Sequence, residues 1–524
     1  MRRKIPAFLL LLFWVPAVLA GCMRENNDFV YDLDGAPQNL DPQSAADPAS
    51  RLVIANIFEG LVTVGADGGI RAGAAESWTV SEDGLTYEFT LREDGKWSNG
   101  DPVTAEDFVY GFRRLFDPAT NAPGVSDFLC IRGGTAVLAG EADGGTFGVR
   151  ASGKRTLVIE LERYNSRFLE LLATAPAMPC KEDFFLSTKG KYGLAGNKIM
   201  GNGAFYLSSW GESGTVRLRP SATYYDRSKV TATSLTLAAP SSGTALERFR
   251  SGTSSAVALG GAEFLSLGDL SGQEVERSDS AVWGMIFQVE AEPFSNEKIR
   301  QALFLDADFS TMEAVLPEYY QRARAVVSKN AVLDGENYRE AAGEDRMPAL
   351  DREGAKELFR AGAAELSEDG LVGVRLILPA GYGHEKYFAY LSQIWQRDFG
   401  LYLTVEALDA GDYAARLAAG DYECALVSLS GSGGTPEAAL SYFASEGGSY
   451  HIGELDRLLA QAAGESDGDT ALELYRQAED LLIGQGRFLP FYYQAEYFVC
   501  GPGITGVTYR FDSRTPDFRF GKIR

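Results

Sequence analysis

The residue types that carry most protein chemistry are scarce in this chain of 524 residues, which has two histidines and five cysteines. His384 and His451 stand in unrelated settings, so a Ser-His-Asp or Cys-His arrangement lacks material for its base. Cys130, Cys180, Cys424 and Cys500 form no close pair, which leaves neither a zinc framework nor a redox C-x-x-C. These four either join as disulfides, in one of three pairings, or stay as buried thiols, because a chain this long needs no staple. H-E-x-x-H, G-K-S/T and a strand-following G-x-G-x-x-G are all absent. With 72 Asp and Glu, chance carboxylate pairs carry no information about acid-base work. The expectation is a protein that is not an enzyme and needs no metal and no cofactor. The groups worth locating are those that hold a ligand without transforming it.

The elements that would position such groups begin after a leader. Arg2, Arg3 and Lys4 precede an apolar run from Ala7 to Ala20 that ends in Leu19-Ala20-Gly21-Cys22. The run is shorter than the ~20 apolar residues of a permanent membrane helix, and its flanks are those of an export signal. The tetrapeptide resembles a bacterial lipobox, which implies cleavage ahead of Cys22 and lipid attachment to its thiol. An ordinary secretory signal with an incidental cysteine is the alternative. The chain carries 45% hydrophobic residues, 58 glycines and a formal charge of −23, which loss of the leader's three cations makes still more negative. Such a surface repels phosphate backbones, so nucleic acid is not an expected partner.

The stretch Ala75 to Phe108 organises the remainder. From Leu85 to Leu91, apolar residues fall on every second position, the period of a strand with one buried face. Asp83-Gly84 and Asn99-Gly100 mark turns on either side, and Thr104 with Asp107 reads as an acidic capping box opening a helix. The residues A-E-S-W, S-E-D-G-L-T-Y-E-F-T-L-R and K-W-S-N-G-D-P-V-T-A-E-D-F closely resemble the signature of the extracytoplasmic solute-binding proteins of family 5, the receptors of oligopeptide and dipeptide ABC importers. Further matches are L-D-P at Leu40, a packed helix from Ile54 that ends in E-G-L at Glu59, G-F-R-R-L-F-D-P from Gly111, N-G-A at Asn202, whose glycine is expected to take a backbone angle other residues resist in a turn leading into a strand, and P-F-S-N-E-K-I-R-Q-A-L from Pro293. C-G-P-G-I-T-G from Cys500 and P-D-F-R-F-G-K-I from Pro516 resemble the family's tail.

The resemblance implies a two-lobed α/β fold of the periplasmic-binding-protein type, class II, in the large peptide-receptor form with an extra domain. It divides the chain into a signal peptide at 1–21, a discontinuous first lobe (23–50, 178–275 and 496–524), an extra domain of that lobe (51–177) and a second lobe (276–495). It also implies a monomer that captures a peptide or other small solute by hinge closure near Trp283 and Phe491 and delivers it to an ABC permease and ATPase. The chain would be exported and held by lipid at the outer face of the cytoplasmic membrane, exposed on the cell surface or facing a periplasm. Ala36, Pro37 and Gln38 would offer the ligand main-chain partners, or form a plain entry turn. Tyr110 and Trp283 would face the cleft, or pack in the core. From Val372 a strand, a helix and a second strand alternate in β-α-β manner. The buried strand from Glu423 to Leu429 that follows would put the backbone of Ser428, Leu429 and Ser430 at the cleft, open to strand addition.

The chain departs from the oligopeptide receptors where those read the peptide's ends. Aligned on Pro436, Ser432 stands where they carry the aspartate that pairs with the peptide amino terminus. Leu426 stands in place of an arginine for the carboxylate, and Ala410 in place of a cleft tryptophan. Losing a charge-assisted partner forgoes about 1.5–3 kcal/mol. The rival readings are a non-peptide solute in the same fold, and a surface lipoprotein that senses or adheres without transport.

Overall fold

The computed structural model describes residues 26–65, 69–141, 146–239, 243–367, 370–371, 373–430, 434–445, 450–511 and 513–524. The alternation at Leu85 to Leu91 is realised as the strand Thr86–Leu91, with Tyr87, Phe89 and Leu91 buried and Glu88 exposed. It lies between the strands Ala75–Val80 and Thr156–Glu160, and Val149–Ala151 completes a four-stranded antiparallel sheet. Trp97 is fully buried, and its indole donates to Asp107 Oδ2 at 3.2 Å. The same oxygen accepts from the Thr104 amide at 2.8 Å, which starts the helix Ala105–Phe116.

That helix buries Phe108, Phe112, Leu115 and Phe116, and also Arg114. The Arg114 guanidinium reaches both oxygens of Asp41, at 3.0 and 2.6 Å, and Gln43 Oε1 at 2.6 Å. L-D-P and G-F-R-R are thus two halves of one buried ion pair. The helix expected to run into E-G-L stops earlier, spanning Pro48–Ile57. Glu59 lies beyond it, buried, with its backbone and side chain held by Asn202, Tyr224 and Tyr225. Gly203 does not adopt the positive φ expected of N-G-A. Its reason is close approach, since a Cβ there would lie 2.8–2.9 Å from the backbone of Ile57 and Phe58.

The strand Asp28–Asp32 pairs in parallel with Ser234–Ala238, which continues antiparallel through Val216–Pro220 to Phe205–Trp210. A larger sheet runs in the order Ala256–Gly260, Phe488–Cys500, Val275–Phe287, Cys424–Ser430, Val374–Pro379, Leu403–Leu408. The last three strands are mutually parallel where they pair, with helices Glu385–Phe399 and Ala410–Ala419 as crossovers. This is the β-α-β arrangement that the sequence indicates.

The two antiparallel strands of 13 residues, Val275–Phe287 and Phe488–Cys500, belong to both halves of the molecule. One apolar core gathers residues between Phe29 and Ala256 with others between Phe498 and Phe518. It includes Phe89, Trp97 and Phe112 from 51–177 together with Leu218 and Leu237, so that region and the rest of the half share one core. A second core gathers residues between Val282 and Tyr493. Between the cores, a small cluster of Phe249, Val257, Leu259, Ala495, Tyr497 and Val499 covers the crossing. Ser278 lies opposite Glu496 and Ala281 opposite Gln494, so one strand carries an extra residue there. A bulge of this kind bends and twists the ladder. Cys130, Cys180, Cys424 and Cys500 are buried and each is free. Among the described residues no helix is long and apolar enough to cross a membrane.

Arg114→Ala leaves Asp41 buried without its counter-charge and is expected to cost about 3–5 kcal/mol. Urea unfolding checks this, and an effect under 1 kcal/mol would show that the pair does not tie the two segments.

Candidate functional site

A cleft of about 2550 Å³ opens between the two halves beside the crossing strands. Its first wall includes Asp32, Asp34, Arg51, Arg163, Asn165 and Arg167, and its second Asn330, Asn337, Gly434, Glu437, Ser441 and Asp456. Glu276, Ser278 and Tyr497 of the crossing strands form its floor. Ser278 Oγ also accepts from Asn330 Nδ2 at 2.8 Å, so the bulge, the second wall and the cleft meet at one hydrogen bond. Asp456 accepts from the Ser445 amide at 2.9 Å, and its carboxyl is held below the usual range by the bonds from Ser445. Glu437 is shifted the other way: burial raises it, against the charges of Arg167 and Arg163.

None of the sequence-nominated residues among the described ones lines this cleft. Ala36 and Gln38 are exposed and Pro37 is buried. The Gln38 amide is committed inward to Ser50 Oγ at 2.9 Å, and its side chain folds back onto the Ala36 carbonyl at 3.0 Å. The segment rests on Gly214, whose φ is +85° and where a Cβ would stand 2.6 Å from Ala36 Cβ. Tyr110 is half-buried on the helix Ala105–Phe116, edge-on to Phe185 at 5.9 Å. Trp283 is buried in the second half, and its indole donates to Gln494 Oε1 at 2.5 Å. Phe491 is fully buried there too, packed edge-on against Phe388 and Phe309.

The structure does bring the second group together. Trp283 lies opposite Ser428, Val282 opposite Leu429 and Ala281 opposite Ser430. The strand Cys424–Ser430 therefore has one edge filled. On its other edge it pairs with Val374–Pro379 only at Cys424 and Ala425. Past the Leu426 carbonyl, which accepts from Tyr413 Oη at 2.6 Å, no described strand takes this edge. Leu426 itself is fully buried opposite Met285, and Ala410 is exposed at the start of its helix. Ser432 lies outside the described residues.

Beside Trp283 sits His384, fully buried, its ring 4.5 Å from the indole and 5.3 Å from Tyr382. Its Nδ1 lies 2.5 Å from Tyr492 Oη, while Nε2 has no partner. The sequence offers this histidine no catalytic company, and its aromatic surroundings are not legible there because Trp283, Tyr320 and Tyr492 come from three separate segments. Sequence reasoning likewise missed Arg163, Asn330 and Glu437. The one local signal for Glu437 was an acid directly after Pro436, close to the position where Ser432 replaces an aspartate.

Two cores joined by crossing strands, with a large cleft between them, define the two-lobed α/β fold of the binding proteins. The model of the bacterial extracellular solute-binding proteins, family 5, middle region, matches residues 69–451. The chain belongs to that family, whose members are binding proteins and not enzymes. It is 29% identical over 482 residues to the dipeptide-binding protein DppE of Bacillus subtilis, spanning 90% of this chain and 88% of the relative. It is 28% identical over 484 residues to the oligopeptide-binding protein OppA of the same organism, again spanning 90% and 88%. A solved structure of the murein tripeptide binding protein MppA, in an unliganded open form, superposes with a TM-score of 0.76 at 24% identity, covering 95% of this chain and 98% of that one.

Burial lowers the His384 pKa to about 4. The unfolded chain, with an ordinary value near 6.5, binds this proton first as pH falls, so protonation favours unfolding. This residue's contribution is present above pH 6.5 and is lost progressively down to about pH 4, by about 2 kcal/mol at pH 5. Unfolding free energies of the wild type and His384→Asn, measured from pH 7.5 to 5, are expected to converge by that amount; parallel curves would contradict the burial argument.

Proposed function

We propose that the protein captures peptides in the interlobe cleft, closes over them by rotation about the crossing strands, and presents them to an ABC permease. The carrying observation is the strand Cys424–Ser430, whose edge beyond Ala425 has no described partner. An extended peptide can add to such an edge through main-chain hydrogen bonds, a mode that tolerates the loss of side-chain partners at Leu426 and Ala410. In this reading the segment 36–38 meets the ligand from the first lobe once the lobes close, since it does not line the cleft in the present arrangement. Tyr110, Trp283 and Ser432 complete the set, with water filling the side-chain pockets. The relatives named for dipeptides and oligopeptides support the peptide class.

Closure fits the structure's construction. Each lobe keeps its own core, and the shared ladder is irregular between Ser278 and Ala281 and again between Trp283 and Gly284, where bending is easiest to absorb. We place the first lobe at 23–50, 178–275 and 496–524, its extra domain at 51–177 and the second lobe at 276–495. The leader and Cys22 lie outside the described residues, and we assign Cys22 as the lipid anchor that holds a monomeric receptor at the outer face of the membrane.

Native mass spectrometry of the purified protein, with release of whatever has co-purified, tests this reading. A heterogeneous set of short peptides is expected, and adding them to emptied protein should lower the radius of gyration in solution scattering. A single non-peptide species would overturn the peptide claim and keep the binding fold. An empty cleft that ignores a peptide library would overturn the import reading and favour a surface lipoprotein that senses or adheres.

A further inference from the structure

The segment 519–524 is fastened to the place where the chain enters the first lobe. Asn27, directly before the strand Asp28–Asp32, accepts at its Oδ1 from the Ile523 amide at 2.9 Å, and its carbonyl accepts from the Thr233 amide at 2.8 Å. Thr231 donates its amide to the Arg519 carbonyl and its hydroxyl to the Gly521 carbonyl, both at 2.8 Å. Lys522–Ile523 pairs antiparallel with Ile504–Thr505, and a Cβ on Gly521 would stand 2.8 Å from the Phe29 ring. The backbone of the segment is thus held against the core, whereas the side chains of Phe520, Lys522, Ile523 and Arg524 are exposed. Residues 518–524 carry three cations and no acid, in a chain whose formal charge is −23. Acids of the adjoining segments are already engaged: Asp28 accepts from the Thr233 and Ser234 hydroxyls, Asp517 pairs with Arg519, and Asp226 pairs with Lys229.

Two exposed apolar side chains interleaved with cations fit the boundary between water and an anionic lipid surface, where the apolar groups enter the headgroup layer and the cations meet phosphate. The position of Cys22 decides in favour of that occupant. It precedes Asn26 by four residues, and an extended chain spans at most ~3.6 Å per residue, so a lipid there holds this corner within about 14 Å of its own attachment point. Such a tether fixes distance but leaves open which way the body faces. Screening limits each charge to a reach of ~8 Å at physiological ionic strength, so local residues decide the contact and the acidity of remote surfaces does not. Because the tether makes the contact intramolecular, a patch too weak to bind a membrane from solution suffices.

We propose that Phe520, Lys522, Ile523 and Arg524 form a membrane-facing patch that settles on anionic phospholipid headgroups and sets the orientation of the first lobe. This rests on the reading of Cys22 as the lipid anchor. It adds to that reading a defined face of the protein, where a tether alone would allow any.

The test uses the full lipidated chain, purified from membranes and returned to vesicles of phosphatidylglycerol or of phosphatidylcholine. Ile523→Cys and, separately, Phe520→Cys are labelled with an uncharged polyethylene glycol maleimide. The native thiols at Cys130, Cys180, Cys424 and Cys500 are buried, which leaves the introduced one to report. Tyr402→Cys, exposed on the second lobe, is the control. Labelling at 520 and 523 is expected to be about fivefold or more slower on phosphatidylglycerol than on phosphatidylcholine, with no difference at 402. Adding Lys522→Gln should remove about fivefold of that protection. Closeness to the tether alone would slow both vesicle types equally and would ignore Lys522, so equal rates on the two lipids overturn the patch while the anchor stands. Protection that survives Lys522→Gln with Arg524→Gln overturns the assignment to anionic headgroups. Mass spectrometry of the same preparation that finds no lipid on Cys22 overturns the anchor reading, and the patch falls with it. Two reporter sites keep the claim refutable should one variant fail to fold.

Discussion

Two strands have to belong to two bodies at once. Val275–Phe287 and Phe488–Cys500 pair along most of their length, yet the side chains at one end enter the core that contains Phe498 and those at the other the core that contains Val282 and Tyr493. Rotation of one lobe against the other disturbs neither core, because each is close-packed within itself and transmits displacement as a body. The ladder that joins them is irregular in two places, between Ser278 and Ala281 and between Trp283 and Gly284, and a few apolar side chains cover the crossing. Even that cover is ordered, with Phe264 stacked on Tyr497 at 3.7 Å. Ser278, at the first of these irregularities, lines the cleft.

This division explains which parts of the molecule the sequence discloses. The recognisable segments turn out to be mutual fastenings: Asp41 of L-D-P holds Arg114 of G-F-R-R, Trp97 holds Asp107, and Glu59 of E-G-L holds Asn202 of N-G-A. Each needs a specific donor or acceptor in a buried place, so its residue types stand out from the pattern around them. Strand periodicity and the β-α-β alternation are legible for a related reason, because burial on one face imposes a repeat. The E-G-L helix was read too long, because apolar spacing continues past Ile57 although the backbone leaves the helix at Phe58.

The cleft wall obeys no such rule. Arg163, Asn330 and Glu437 stand on three separate segments, and nothing in their local sequence says that they face one space. Tyr110 and Trp283 illustrate the converse, since an aromatic suited to a binding site is equally suited to packing, and both pack. The free edge of Cys424–Ser430 is also invisible to periodicity, which reports burial of faces and not the length of a neighbouring strand. His384 was dismissed for want of catalytic company, yet it is among the more constrained side chains, neutral and wedged between rings beside the crossing strands.

The combination of an open edge and few committed charges determines what kind of selectivity such a cleft can have. Main-chain pairing contributes hydrogen bonds that every peptide can make, so it yields affinity without reading side chains. In this chain Leu426 is buried opposite Met285 and Ala410 is exposed at the start of its helix, and neither lines the cleft. The second wall carries amide and hydroxyl groups from Asn330, Asn337 and Ser441, which adapt to many partners, and two carboxylates, Asp456 held by Ser445 and Glu437 without an ion pair among the described residues. A desolvated charge discriminates by the penalty of leaving it unpaired, whereas a solvated amide exchanges one partner for water at little cost.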